Sequence, residues 1–197
     1  MYTKAKKTKR YIIEKTAHIF NKQGYAGTSL ADLTRATGLT KGSIYGNFTG
    51  KHEVAVAAFN YNYQNLIKKF GSILHETEGR SAKMHKFLSI YEGAYEEIMQ
   101  WGGCPILNNA VDADDTDEEL AHLSVKAFNY WEDTLSAMMD EGFSDADGAD
   151  RIDVKYYASL FIATIEGSLM LSKVTGERHH FSFAIAHLRS IVDGIFK

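Results

Sequence analysis

A chain of 197 residues, 45% hydrophobic and 24% charged, has the composition of a globular protein of one or two domains, which excludes a disordered or fibrous polypeptide. One cysteine excludes an intramolecular disulfide and a cysteine-based zinc cluster, and one proline points to a mostly helical chain, because proline breaks helices. The net charge of −3 is split: residues 1–52 hold ten Lys/Arg against Glu14 and Asp32, a net of +8, and the remainder carries −11, a pattern expected of a polyanion-binding head on an acidic body.

In chain order, the basic start MYTKAKKTKR is followed by no apolar segment or small-residue cleavage site, so a cytoplasmic protein is expected. Ile13, Ala17 and Phe20 recur at helical spacing ahead of Gly24, which predicts a first helix over roughly Lys9–Gln23. Ser29-x-x-Asp32 starts a short helix that Gly38 closes, and a third runs from Thr40 to near Phe48. After Gly50 a long periodic run extends from Lys51 to about His75. Further helices are expected at about Ser81–Trp101, Pro105–Val111, Asp117–Glu141, Asp150–Val174 and Arg178–Phe196. No stretch alternates with period two for long enough to be a strand. The fold class expected is all-α, with about nine helices.

Tyr156–Ser172 has only Glu166 charged among 17 residues. It is short for a membrane span, and a carboxylate near its middle would be costly there. A helix apolar nearly all round is instead buried on several sides, so a homodimer interface is expected here. No membrane association is expected.

Residues 28–48 carry the function. Leu30, Leu33, Leu39, Ile44 and Phe48 are spaced to form one small core, and Gly38 supplies a tight turn between two short helices, the requirements of a helix-turn-helix. In that motif the start of the second helix enters the DNA major groove. Lys41 is placed to donate to guanine O6 and N7, Thr40 and Ser43 to serve base edges or phosphate, and Gly42 to let the backbone come close. Tyr45 and Lys51 are expected to meet phosphates, and the helix starts near Ser29 and Lys51 add dipoles that favour anions.

The run Thr28-Ser29-Leu30-x-Asp32-Leu33, then Gly38-Leu39-Thr40-x-Gly42-x-Ile44-Tyr45-x-Asn47-Phe48, then Lys51-x-Glu53, resembles the TetR family of bacterial transcriptional repressors. Thr34 and Thr37 stand where that family usually has small apolar residues, and Asn47 replaces the more frequent His or Tyr. The resemblance implies a three-helix DNA-binding head, residues 1–50, on a six-helix ligand-binding and dimerisation body, residues 51–197. It implies a homodimer on a palindromic double-stranded operator, released when a small-molecule effector enters the body. Thr28, Ser29, Thr40, Lys41, Gly42, Ser43, Tyr45, Asn47 and Lys51 are then the DNA-binding candidates. The last two helices would form the dimer bundle, with Ile162, Leu169, Ala184, Leu188 and Val192 at the interface.

The body is rich in aromatic residues, which serve first as core. A pocket lined by Phe59, Tyr63, Tyr91, Tyr95, Trp101, Phe128, Trp131 and Phe161, with Asn108 and Glu166 as its polar groups, is the candidate effector site. The acidic run from Asp112 to Glu119 lacks the glycine and glutamate that a calcium loop needs at its sixth and twelfth positions, here Asp117 and Leu123, and Thr116-x-x-Glu119 reads as a capping box. His179-His180 reads as surface and Cys104 as a packed junction. No metal or cofactor is expected. The common hydrolase, P-loop, zinc-protease and dinucleotide-binding motifs are absent, so no enzyme is expected. The other readings are a helical adaptor whose basic arm meets an acidic partner, and an all-α enzyme without a recognised motif.

Overall fold

The computed structural model describes residues 4–70, 77–140 and 152–196, and among them every regular element is a helix. The nine are α1 (Lys4–Gly27), α2 (Leu30–Thr37), α3 (Lys41–Tyr45), α4 (Lys51–Lys68), α5 (Arg80–Gln100), α6 (Pro105–Ala113), α7 (Glu118–Asp140), α8 (Val154–Thr175) and α9 (His179–Ile195). The helix ends expected at His75, Glu141 and Asp150 lie outside the described residues. No described helix is long and apolar enough to cross a membrane.

Packing divides the chain into two units, residues 1–66 with 101–125 and residues 67–100 with 126–197. In the first, Ile12, Ala17 and Phe20 of α1 meet Leu33, Ile44, Phe48, Val54 and Ala58, and Ala113 and Leu120 complete the same core. The periodicity of α1 thus buries one face and leaves its lysines outside.

Within α1 two helical stretches meet across a kink, and the first ends, as expected, at Gly24. Its backbone sits at φ 71°, ψ 177°, a conformation open essentially to glycine alone. The kink frees the Tyr25 amide, which donates to Asp112 Oδ2 of α6 at 2.6 Å. One turn earlier Asn21 Nδ2 donates to the carbonyls of Trp101 and Gly103, and Asn108 Nδ2 donates to the Asn21 and Gly102 carbonyls. Residues 101–112 are therefore laced to α1 through polar groups that would otherwise be buried at a cost.

The start of α7 corrects the expected Thr116–Glu119 capping box. Thr116 Oγ1 instead donates to the Asp112 carbonyl, and the cap is Asp117, whose Oδ1 accepts from the Leu120 amide at 3.0 Å. Asp117 also pairs with His52 Nε2 of α4 at 3.0 Å.

In the second unit α9 packs against α8 and α5. Phe87, Tyr91, Phe161, Ile165, Phe181, Ile185 and Leu188 fill its core. Phe70, Tyr91 and Trp131 stack in sequence, with centroids 4.8 Å and 5.8 Å apart. Arg178–Glu96, Arg189–Glu92 and His85–Asp193 pairs line the α5–α9 seam on its exposed side, where such pairs contribute little.

Burial also sorts the interface candidates. Leu169, Leu188 and Val192, expected to face a partner subunit, are buried within one chain, because they are the residues through which the second unit's helices pack. Ile162 and Ala184 are half-buried.

Gly24→Ala is predicted to lower stability by about 1–3 kcal/mol, since it imposes a side chain on a glycine-only conformation. The new Cβ would also run into the Asp112 carboxylate. Urea unfolding of the variant against Gly27→Ala, a glycine whose added Cβ would meet only Gln23 at ordinary van der Waals distance and whose backbone is not left-handed, checks the assignment.

Candidate nucleic-acid interface

Helix α2 is fixed at both ends. Ser29 Oγ accepts from the Asp32 amide, and Asp32 accepts from the Ser29 amide at 2.9 Å, a complete capping box. The Ser29 hydroxyl, which donates to Asp32 Oδ2 at 2.5 Å, and then the Ser29 amide, with Arg35 adding to them, hold the Asp32 carboxyl below its ordinary pKa. At the other end Gly38 takes the left-handed conformation, φ 67°, and its amide donates to the Thr34 carbonyl.

Thr37 turns out to belong to this turn. Its buried hydroxyl donates to the Leu33 carbonyl at 2.7 Å and accepts from the Leu39 amide at 3.2 Å. Tyr11 Oη adds a hydrogen bond to the Thr37 carbonyl. The threonine therefore closes the turn with a polar group where an apolar residue would only fill space.

Helix α3 starts at Thr40, whose Oγ1 accepts from the Ser43 amide, and Asn47 Nδ2 donates to the Ser43 carbonyl beyond its last turn. Ile44 is fully buried and Phe48 nearly so, which anchors the inner face of α3 in the head's core. The outer face presents Thr40, Lys41 and Gly42 as exposed residues, with Ser43, Tyr45 and Asn47 half-buried beside them. Lys41 Nζ lies 6.0 Å from the Tyr45 ring centroid. Apart from its chain neighbours and the helix's own backbone, nothing comes closer than Thr40 Oγ1, at 4.0 Å, to the Cβ position of Gly42, so this edge of the helix is open to close approach.

Two candidates have different surroundings from those expected. Thr28 is 1% exposed, and its hydroxyl donates to the Gly24 carbonyl at 2.7 Å, so its side chain closes the end of α1 and does not face outward. Lys51 donates to the Tyr25 and Thr28 carbonyls at 2.7 and 2.9 Å and stands 4.2 Å from the Tyr25 ring centroid. Two of its three ammonium protons are thus committed inside the head. Ser29 is exposed but spent on its cap.

Glu53, quoted in the motif without a role, is the residue whose work the sequence hid. Its Oε1 accepts from Lys9 Nζ at 2.6 Å, and its Oε2 accepts from the Thr49 amide at 2.7 Å. Lys9 in turn lies 4.6 Å over the Phe48 ring. Together they join α1, the residues just after α3, and α4. The Lys9 hydrogen bond first, then the Thr49 amide, lower the Glu53 pKa to about 2. Thr49 four residues before Glu53 was the available signal, one residue longer than the usual capping spacing.

The effector candidates fall in two groups. Phe59, Tyr63, Trp101 and Asn108 belong to the first unit, where Phe59 stacks on Tyr63 at 6.2 Å and Trp101 meets His18 edge to face. Tyr91, Tyr95, Phe128, Trp131, Phe161 and Glu166 belong to the second. Tyr91 and Phe161 are core residues there, and Tyr95 stacks on Phe181 at 4.9 Å. Asn108 serves the α1 lacing, and Glu166 is buried.

Two short helices fixed by a left-handed glycine turn, with the second exposing a cationic and hydroxylic start, define a helix-turn-helix DNA-binding protein. Residues 12–58 match the family model of bacterial regulatory proteins of the tetR family, and residues 81–188 match that of the tetracyclin repressor-like C-terminal domain. A solved TetR-family regulator from Cytophaga hutchinsonii aligns with TM-score 0.90 at 35% identity, covering 100% of this chain and 98% of that one. Another, from Chloroflexus aurantiacus, gives 0.88 at 32% identity over 96% of each chain. The HTH-type transcriptional repressor DhaR of Mycobacterium sp. (strain GP1) is 24% identical over 172 residues, 86% of this chain and 84% of that protein. The chain belongs to the TetR family, and it is a DNA-binding transcriptional regulator.

The Glu53 cluster carries a pH dependence with a definite sign. A carboxyl whose pKa falls on folding stabilises the native state above its unfolded pKa, here 4.5, and loses that contribution as pH falls towards about 2. The stability difference between the wild type and Glu53→Gln is predicted to be constant above about pH 5.5 and to shrink steadily below pH 4.5. Urea midpoints measured across that range check it; a difference independent of pH would remove the carboxylate from the head's stability.

Proposed function

We propose that the chain represses transcription by binding an inverted-repeat operator as a homodimer in the cytoplasm, and that a small molecule binding the body releases it. The observation that carries the DNA half is the exposed start of α3, Thr40-Lys41-Gly42, on a frame capped at every helix end around it. Residues 1–50 serve as the DNA-binding head and 51–197 as the ligand-binding and dimerisation body. Lys41 reads base edges, and Thr40, Ser43 and Tyr45 position the helix on the backbone. Lys51 acts chiefly by positioning, with one proton left for a phosphate. The name of the Mycobacterium relative supports repression, and family membership supports an effector. By linkage, such an effector binds the DNA-free form more tightly than the bound form.

The dimer rests on apolar surface that the single chain leaves uncovered. On α8 Tyr156 (59% exposed), Met170, Leu171 and Val174 (78%) point outward, and on α9 Phe183 does so at 69%. These residues, beside Ile162 and Ala184, replace Leu169, Leu188 and Val192 as the partner-facing set.

Competition binding at several salt concentrations tests the DNA reading. Lys41→Ala is expected to relax preference at one position in each half-site, costing about 1–3 kcal/mol per lost contact, while random duplex is bound nearly as before. Lys51→Ala is expected to weaken all sequences and also to lower the unfolding midpoint, because the Tyr25 and Thr28 carbonyls lose their donor. Equal losses on operator and random DNA for Lys41→Ala would make Lys41 an anchor and not a reader.

Sedimentation tests the dimer. Phe183→Glu is expected to give a folded monomer at micromolar concentration, since that side chain is exposed in the single chain, whereas Leu169→Glu places a charge in the core and is expected to prevent folding. A Phe183→Glu protein that sediments as the wild type would take α9 out of the interface.

A further inference from the structure

A crevice in the first unit opens between α1, α4, α6 and the start of α7 and encloses about 20 Å³, room for an occupant about the size of a water molecule. Phe20, Tyr25 and Phe59 form its aromatic wall, and Asn62, Asn109 and Asp112 are polar residues lining it. Most of the amide donors along this wall are committed. Asn62 Nδ2 donates to the Ala17 carbonyl at 2.9 Å, which fixes the orientation of the amide. Asn109 Nδ2 donates to the Leu120 carbonyl and Ser124 Oγ, each at 2.7 Å, and the Tyr25 amide donates to Asp112. Asn21, also in the wall, gives its amide protons to the Trp101 and Gly103 carbonyls.

The open acceptors are oxygens. Asn62 Oδ1 is buried and accepts no hydrogen bond, in a residue only 8% exposed, although an unsatisfied buried acceptor is costly. Asn109 has its side-chain oxygen left, and Asp112 contributes a carboxylate. Acceptors with one negative charge reject an anion and suit a group that brings both N–H donors and positive charge. Aromatic faces attract the same class of group, and Tyr25 already holds the Lys51 ammonium 4.2 Å from its centroid.

We propose that this crevice binds a compact ammonium group, either the free ion or the head of a primary amine, with Asn62 Oδ1 and Asp112 as its principal acceptors. The proposal is independent of the operator reading, because its test uses no DNA. Thermal unfolding of the full chain is followed in ammonium, methylammonium and butylammonium chloride, against equal sodium chloride and tetramethylammonium chloride, the last having charge but no N–H donor. A ligand that binds only the native state raises the melting temperature, here by about 2–4 °C above both controls at saturating concentration. A shift with ammonium alone identifies the free ion, and equal shifts with the alkylammonium salts identify an amine head whose tail leaves through the mouth. Asn62→Leu is expected to abolish the shift. Asp112→Asn, which keeps an acceptor for the Tyr25 amide, is expected to raise the concentration needed at least threefold and covers the case in which Asn62→Leu does not fold. Equal shifts in the control salts would show a crevice that holds water only, and a shift unchanged in Asp112→Asn would show that ammonium binds elsewhere; either result overturns the proposal.

Discussion

The first turn of α4 fixes the geometry of the head. Lys51 donates to two carbonyls just past the kink of α1, and two residues later Glu53 accepts from Lys9 and from the Thr49 amide. One helical turn therefore holds both the approach to α2 and the exit from α3. A recognition helix of five residues cannot define its own direction, because a helix that short is marginal in isolation. Its direction comes from Ile44 and Phe48 in the core and from these charge-assisted hydrogen bonds at its boundary.

The same unit includes residues 101–125, so α6 and the start of α7 pack with the head. Asn21, Asn108 and the Asp112–Tyr25 hydrogen bond make that attachment polar and directional. Gly24 permits it, because only a glycine backbone lets Asp112 approach so closely at the kink. In the second unit the logic is apolar. Inward faces of α5, α8 and α9 are filled by residues that pack within the chain, and the outward faces of α8 and α9 keep large apolar side chains in water. Both faces share one sequence run, which explains how Leu169 and Met170 come to have opposite surroundings.

Much of this was legible in the residues. Helix order follows from periodicity and glycine stops, and the α2–turn–α3 unit follows from Ser29, Asp32, Gly38 and five apolar positions. What was hidden depends on tertiary partners. Thr28 and Lys51 read as DNA-facing because polar residues at helix starts usually are, yet carbonyls near the end of α1 claim both. The Thr116–Glu119 cap fits a local pattern, but Asp117 wins because it satisfies both the helix end and His52. Leu169, Leu188 and Val192 are indistinguishable from partner-facing residues in a helix that is apolar on several sides. Thr37 ran opposite to these, since a residue that departs from the family pattern supplies a hydrogen bond to the turn itself.

The central claim is that this frame presents the start of α3 to the major groove, twice, in a symmetric dimer. Selection of bound duplexes from a random pool measures that directly. The account predicts enrichment of an inverted repeat whose half-site centres lie about 34 Å apart or a multiple of it along the helix. Enrichment of a single unrepeated site, or retention of all sequences alike with affinity set by salt alone, would contradict it.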